Sequence, residues 1–322
     1  RTMKVVFMGT PEFAVTVLDR IIAAGHDVVG VVTTPDKPAG RGQRIHFSDV
    51  KNYALEHNLF LMQPEKMKDD TFVHQLQTLE AEVFVVVAFR MLPKVVYTMP
   101  PKGTFNVHAS LLPQYRGAAP IQWAIINGET KTGVTTFLLD EHTDTGAIIR
   151  QTEVDITPTD NAGTLHDKLM CAGAEIAVET LEDLRSGNYA PKPQNAEGAL
   201  KPAPKIFKED MLINWNDTAE NIYNKIRGLS PYPAAFSRIT FLGNSPNEKK
   251  NLSVKILACS ISNEKSTKIP GEITLKDDKF MLISTKNSDI SIEILQLEGK
   301  KRLETPFFLQ GFRKESYILR LF

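Results

Sequence analysis

The run Val83-Phe84-Val85-Val86-Val87-Ala88 restricts the fold of this chain more than any other stretch. It is apolar at every position and rich in β-branched residues, and it is too short for a core helix. A strand without polar alternate positions must be covered on both faces, as in a parallel sheet flanked by helices. The N-terminus reads the same way. Lys4-Val-Val-Phe-Met8 is a short apolar strand, Gly9-Thr-Pro-Glu-Phe13 opens a helix that runs through Ala24 to a stop at Gly25, and Asp27–Thr33 is the next strand. Strand, helix and strand of these lengths make a parallel βαβ unit. The turn after the first strand holds one glycine rather than Gly-x-Gly-x-x-Gly, so a dinucleotide site is not supported.

The pattern continues with helices at Ser48–Asn58 and Asp69–Leu79, and with short strands at Phe60–Gln63 and 104–108. A helix near Pro120–Asn127 is ended by Gly128, and strands follow at Thr132–Leu139 and Ile148–Val154. The long helix from Gly163 to Arg185 carries apolar residues at Leu165, Leu169, Ala172, Ile176, Val178 and Leu181. Cys171 within it is expected to be a buried small residue. Ser186–Lys205 contains four prolines and two glycines and reads as a linker. Beyond it, a helix at Thr218–Leu229 precedes closely spaced strands at Ala235–Phe241, Leu252–Ser260, Gly271–Leu275, Phe280–Thr285 and Ile290–Leu297. Such spacing argues for a small β-barrel, and an OB-like one would suit nucleic acid. The expected organisation is a domain at 3–186, a linker at 187–205 and a barrel domain at 206–322.

Composition is that of an ordinary globular protein, 42% apolar and 24% charged. No apolar run reaches membrane-spanning length and no secretory signal is present, so no membrane partner is expected. Arg1-Thr2 reads as a cloning remnant ahead of Met3. Cys171 and Cys259 lack metal-type spacing, which predicts free thiols, a cytoplasmic location and no metal site. Net charge is zero, yet residues 201–322 carry 20 basic and 14 acidic side chains against 18 and 24 in the remainder. That split fits a polyanionic partner gripped away from the chemistry, and equally ordinary surface variation.

Groups suited to acyl chemistry are concentrated in Phe105–Pro120 and Asp140–Gly146. Asn106 and His108 lie two apart on a strand and therefore share a face. An amide N–H and a protonated imidazole together stabilise the oxyanion of an attacked carbonyl, and the imidazole also moves protons near neutral pH. Asp144, in the turn after Thr135–Asp140, can orient that imidazole. No serine or cysteine stands in a Gly-x-Ser-x-Gly setting, so direct transfer between two bound substrates is expected. A hydrogen-bonded structural Asn/His pair remains the alternative on these residues alone. Thr34-Pro-Asp-Lys-Pro-Ala-Gly-Arg-Gly-Gln-Arg44 is a loop by composition, either a solvated surface or a phosphate contact.

Asn106-x-His108-x-Ser110-Leu-Leu-Pro-x-Tyr-Arg-Gly-Ala-Ala-Pro120, followed by Asp144-Thr-Gly146, resembles the signature of the 10-formyltetrahydrofolate-dependent formyltransferases. Met8-Gly-Thr-Pro-Glu-Phe-Ala14, the 35–42 loop, Ile226–Pro233, Leu295–Arg302 and Phe307–Gly311 resemble the branch that acts on methionyl-tRNA. The resemblance implies a Rossmann-like catalytic domain with an OB-like C-terminal domain. It implies Asn106, His108 and Asp144 as the catalytic set. It also implies a folate pocket at Arg90, Met91 and Leu92, at Ser110, Leu111, Leu112 and Pro113, and at Leu139 and Asp140. The initiator tRNA would be met by Arg41 with Lys37 and Arg44, and by Lys300, Lys301 and Arg302. Phe89-Arg-Met-Leu92 departs from the Ala-Tyr-Gly-x-Ile-Leu-Pro form of many such enzymes, with arginine in place of glycine and a turn one residue shorter. A monomer is expected. The alternatives are formyl transfer to an amino-sugar nucleotide or another small amine such as a glycinamide ribonucleotide, folate hydrolysis by water, or a non-catalytic RNA-binding protein.

Overall fold

The computed structural model describes residues 2–42, 44–242, 249–311 and 317–321. They form two compact units that interleave along the chain. The first holds the described residues up to Pro120 together with Lys131–Asp155 and His166–Ala203. The second holds Ile121–Thr130, Ile156–Leu165 and the described residues from Pro204 onward.

The elements up to the proline-rich segment are β1 (Lys4–Gly9), α1 (Glu12–Ala23), β2 (Asp27–Val32), β3 (Lys37–Ala39), β4 (Arg44–His46), α2 (Asp49–Glu56), β5 (Leu61–Met62), α3 (Asp70–Thr78), β6 (Val83–Val87), α4 (Lys94–Tyr97), β7 (Thr104–His108), α5 (Pro120–Ile126), β8 (Lys131–Leu138), β9 (Ile148–Asp155) and α6 (Ala162–Ser186). The main sheet of the first unit runs β5-β2-β1-β6-β7-β8-β9. Its pairs are parallel from β5 to β7, and β8 and β9 add antiparallel strands at one edge. The sheet is therefore open, mostly parallel and Rossmann-like.

β6 lies at its centre with all five residues buried, as the apolar run requires. Phe7, Phe84, Phe105 and Phe137, from four adjacent strands, are among the largest fully buried side chains. Each such ring contributes about 2–3 kcal/mol by leaving water. Register then assigns the faces. Val6 pairs with Phe84 and Met8 with Val86, while Phe84 pairs with Thr104 and Val86 with Asn106. Val6, Met8, Phe84 and Val86 pack with Phe72 and Leu76 of α3 and Val96 of α4. Asn106 and His108 therefore lie on the α3/α4 face, Asn106 beside Val86 at the end of that apolar layer and His108 beyond it. On the opposite face Gly173 of α6 approaches Phe13 of α1 and Val107 of β7. Helices cover both sides.

Two local expectations are corrected. The 34–44 segment is not wholly a loop: β3 and β4 pair antiparallel, Lys37 with His46 and Ala39 with Arg44. Gly40 and Gly42, at φ 75° and 92°, supply the left-handed backbone that this reversal needs. Cys171 is exposed rather than buried. The buried stripe of α6 runs through Leu165, Leu169, Ile176, Leu181 and Leu184, and Cys171 shares the opposite, solvent-facing side with Asp167 and Glu175.

The second unit continues with α7 (Lys208–Met211), α8 (Ala219–Leu229), β10 (Ala235–Leu242), β11 (Lys249–Lys265), β12 (Ile273–Lys276), β13 (Phe280–Ile283), β14 (Ser288–Leu297), β15 (Leu303–Glu304), α9 (Thr305–Gln310) and β16 (Tyr317–Leu321). Its sheet runs β12-β13-β14-β11-β10-β16 with antiparallel pairing, and the outer strands β12 and β16 approach each other in the manner of a small barrel. Thr218 caps α8 by accepting from the Asn221 amide, and the helix lays Ile222, Ile226 and Leu229 into the barrel core. Trp215 is buried there with its indole N–H donating to Ser237 Oγ at 2.9 Å. Among the described residues no helix is long and apolar enough to cross a membrane.

Candidate active site

β7 ends at His108, and the chain there turns into a loop that folds back over the imidazole. His108 is 7% exposed, and its Nε2 lies 2.8 Å from the Tyr115 carbonyl. A carbonyl only accepts, so this contact fixes a proton on Nε2. Nδ1 then faces Asp144, with Oδ2 at 3.9 Å. That separation exceeds a direct hydrogen bond. Asp144 Oδ2 also accepts from the Gly117 amide at 2.9 Å. One loop thus grips both the imidazole and the carboxylate through its own backbone.

The loop is itself rigid. Ser110 Oγ donates to the Gln114 carbonyl at 2.7 Å, and Thr135 Oγ1 donates to the Ser110 carbonyl at 2.7 Å. Gln151 Nε2 donates to the Leu112 carbonyl at 2.9 Å. Left-handed backbone at non-glycine residues gathers around the site, with φ of 48° at Ala88, 59° at Tyr115 and 56° at Asp144. Each costs about 1–3 kcal/mol and persists where the surroundings over-determine it. Gly146 is required sterically, because a Cβ there would lie 1.5 Å from the Leu138 carbonyl oxygen.

Asn106 stands beside His108 on the same face of β7, half-buried. Its Oδ1 has less than 1 Å² of accessible surface and no hydrogen-bond partner among the described residues. A buried acceptor left in this state costs about 1–3 kcal/mol, and such an orphan points to a functional role.

The turn after β6 and the 139–146 segment supply neighbouring walls. Arg90 donates from its guanidinium to the Glu65 carbonyl at 2.7 Å and to the Pro64 carbonyl. Burial lowers its pKa, and its Nε is buried without a partner among the described residues. This arginine braces the 64–65 segment. Met91 is exposed and its Sδ accepts from the Thr143 hydroxyl at 3.3 Å, joining the two walls. Leu92 is buried in the apolar layer with Leu139 packed on it. Asp140 Oδ1 accepts from the His142 amide at 2.9 Å and the Thr145 hydroxyl at 2.7 Å, which shapes the turn that presents Asp144.

Asn106, His108, Asp144, Arg90–Leu92, Leu139 and Asp140 thus come together in the first unit. Ser110 and Leu112 are buried, Leu111 packs toward Gly133, and the Leu112–Pro113 peptide is cis. These four residues build the loop from within. Lys37, Arg41 and Arg44 lie exposed on the β3–β4 hairpin. Its base is tied by Asp36, whose carboxylate accepts from Lys51 Nζ at 2.7 and 2.9 Å and from Gln63 Nε2 at 2.9 Å. The Lys51 and Gln63 hydrogen bonds hold the Asp36 pKa below its usual range. Lys300, Lys301 and Arg302 are exposed in the second unit, where Arg302 donates to the Pro231 carbonyl at 3.0 Å. Sequence reasoning missed the Asp36–Lys51–Gln63 anchor and Gln194, which contacts both Arg116 and the turn that carries Asp144. Neither carries a local motif.

Residues 3–181 match the formyl transferase family and residues 205–313 match the formyl transferase C-terminal domain. The chain belongs to the formyl transferase family. Within the family it is 48% identical over 313 residues to the methionyl-tRNA formyltransferase of Bacteroides fragilis, covering 96% of this chain and 95% of that one. It is 50% identical over 309 residues to the methionyl-tRNA formyltransferase of Flavobacterium johnsoniae, covering 96% of each. Among solved structures, this formyl transferase shares its fold with HypX from Aquifex aeolicus in complex with tetrahydrofolic acid. The TM-score is 0.64 at 17% identity, over 98% of this chain and 48% of that one. It also shares its fold with an N-formyltransferase from Helicobacter canadensis in complex with folinic acid and dTDP-3-aminofucose. Here the TM-score is 0.63 at 21% identity, over 90% and 99% of the two chains.

Proposed function

We propose that this member of the formyl transferase family moves the formyl group of 10-formyltetrahydrofolate to the amine of initiator methionyl-tRNA, giving N-formylmethionyl-tRNA for translation initiation. The observation that carries this reading is identity near one half across the whole chain, both units included, to relatives named for that acceptor. The enzyme works as a cytoplasmic monomer, without a metal.

Folate lies against Arg90–Leu92 and Leu139–Asp140, with the formyl carbon brought to Asn106 and His108. The neutral amine attacks that carbon and a new C–N bond forms. The Asn106 amide and the His108 Nδ1–H hold the oxyanion, and Asp144 orients the imidazole. The bond from carbon to folate N10 then breaks while the proton lost by the amine passes to N10. Because Nε2 is committed to the Tyr115 carbonyl, Nδ1 is the nitrogen left to face the reacting group and Asp144. Arg41, with Lys37 and Arg44, meets the acceptor end of the tRNA, and the Lys300–Arg302 run adds phosphate contacts.

The test is incubation with 10-formyltetrahydrofolate and either initiator or elongator methionyl-tRNA, following formylation of the methionine. Formylation that favours the initiator is expected. Its absence with an intact folate donor would refute the acceptor and turn attention to small amines.

A further inference from the structure

The proline-rich segment read from the sequence as a linker runs, up to Ala203, along the active site of the first unit. Lys192 and Ile148 exchange both backbone hydrogen bonds, at 2.8 and 2.9 Å. The Tyr115 amide donates to the Lys201 carbonyl at 2.7 Å, so the residue whose carbonyl holds His108 is itself held by this segment. The Ala203 amide donates to the Arg116 carbonyl at 2.8 Å, and the Ala119 amide to the Ala203 carbonyl at 3.0 Å. A strap of this kind is an added edge to the loop that grips His108 and Asp144.

Gln194 occupies the middle of the strap. Its Oε1 accepts from Arg116 Nε at 3.2 Å and Nη2 at 2.7 Å. Its Nε2 donates to the Asp144 carbonyl at 2.8 Å and to the Gly146 carbonyl at 2.9 Å. The amide's two lone pairs and two N–H bonds are all used. The Asp144 peptide is thereby fixed in the left-handed conformation, at φ 56°, that presents the carboxylate.

We propose that Gln194 is a positioning residue for formyl transfer: it fixes the backbone that aims the Asp144 carboxylate at His108 and aligns Arg116 on the opposite loop. Only a primary amide at this reach does both. Glutamate pairs with Arg116 but donates nothing to the two carbonyls, and methionine does neither. This role rests on reading the site as a formyl transfer centre.

The experiment uses the full chain with 10-formyltetrahydrofolate and initiator methionyl-tRNA, comparing wild type, Gln194→Met, Gln194→Glu, Asp144→Asn and the Asp144→Asn/Gln194→Met double variant. Both Gln194 variants should lose about 10²-fold in kcat, with KM for each substrate changed by less than about threefold. In the Asp144→Asn background, Gln194→Met should add less than about threefold, because it acts through Asp144. Full kcat in Gln194→Met, or an equal penalty in both backgrounds, overturns the assignment. Amide hydrogen exchange gives a readout independent of turnover. Residues 140–147 should lose protection in Gln194→Met while the central strands β1 and β6 keep theirs, and unchanged protection at 140–147 also overturns the assignment. A wild type that does not formylate the tRNA refutes the acceptor reading, and the exchange measurement then still decides whether Gln194 tethers the turn.

Discussion

Replacing Asn106 by leucine should make the protein more stable and nearly inactive. Leucine copies the forked shape of asparagine and removes the one polar atom of Asn106 that is buried without a partner among the described residues. Relief of that desolvated acceptor is worth about 1–3 kcal/mol. The new methyls meet an apolar layer, since Asn106 pairs in register with Val86 and Phe137. For a unit of this size each kcal/mol moves the unfolding midpoint by about 2–4 °C. Turnover should meanwhile fall by about 10²–10³, the usual consequence of removing one oxyanion donor. Circular dichroism melts and initial formylation rates on the same preparations read the two effects. A lower midpoint in Asn106→Leu would mean that Oδ1 is already satisfied in the folded protein. Turnover within about threefold of wild type would remove Asn106 from the chemistry.

Gly146→Ala places a Cβ 1.5 Å from the Leu138 carbonyl oxygen, so the turn bearing Asp144 must shift. kcat should fall by at least about 10²-fold, checked by single-turnover formylation alongside circular dichroism for the intact fold. Asp36→Asn or Lys51→Met releases the base of the basic hairpin. KM for the tRNA should rise several-fold in steady-state assays while KM for the folate donor stays put. His26 accepts from the Met3 amide through Nδ1 at 3.1 Å, and burial holds its pKa below the ordinary 6.5. Its neutral form is the one the fold favours, so its contribution is complete above pH 6.5 and is lost as pH falls through the lower folded value. Urea unfolding between about pH 8 and pH 5 should show this slope in wild type and a flatter one in His26→Gln.

What was legible beforehand was local. The Val83–Val87 run had to be a strand covered on both faces, and it is the sheet's central strand. Alternation along 104–108 had to put Asn106 and His108 on one face, whatever followed. Helix stops at Gly25 and Gly128, and the amphipathic 163–185 helix, came from short-range backbone and side-chain preferences. The 37–46 hairpin escaped because three-residue strands leave too little pattern, and Cys171 was misplaced because a cysteine fits either side of an amphipathic helix.

Other features depended on contacts that no spacing encodes. Gln194 reaches Arg116 across 78 positions and the Asp144 carbonyl across 50, so none of its neighbours in sequence marks its partners. A proline-rich segment loses its own secondary structure for local reasons, and the same composition serves a free tether or a strap bonded to a folded loop. The 3.9 Å approach of Asp144 to His108 likewise arises from Gly117, Asp140 and Gly146 acting on one turn. Sequence alone determined the layers, the strand that carries Asn106 and His108, and the kinship to the formyl transferases. Only the tertiary structure decided which backbone groups hold His108 and Asp144 and which acceptor is left unsatisfied, because hydrogen bonds between distant segments exist only once the chain has closed on itself.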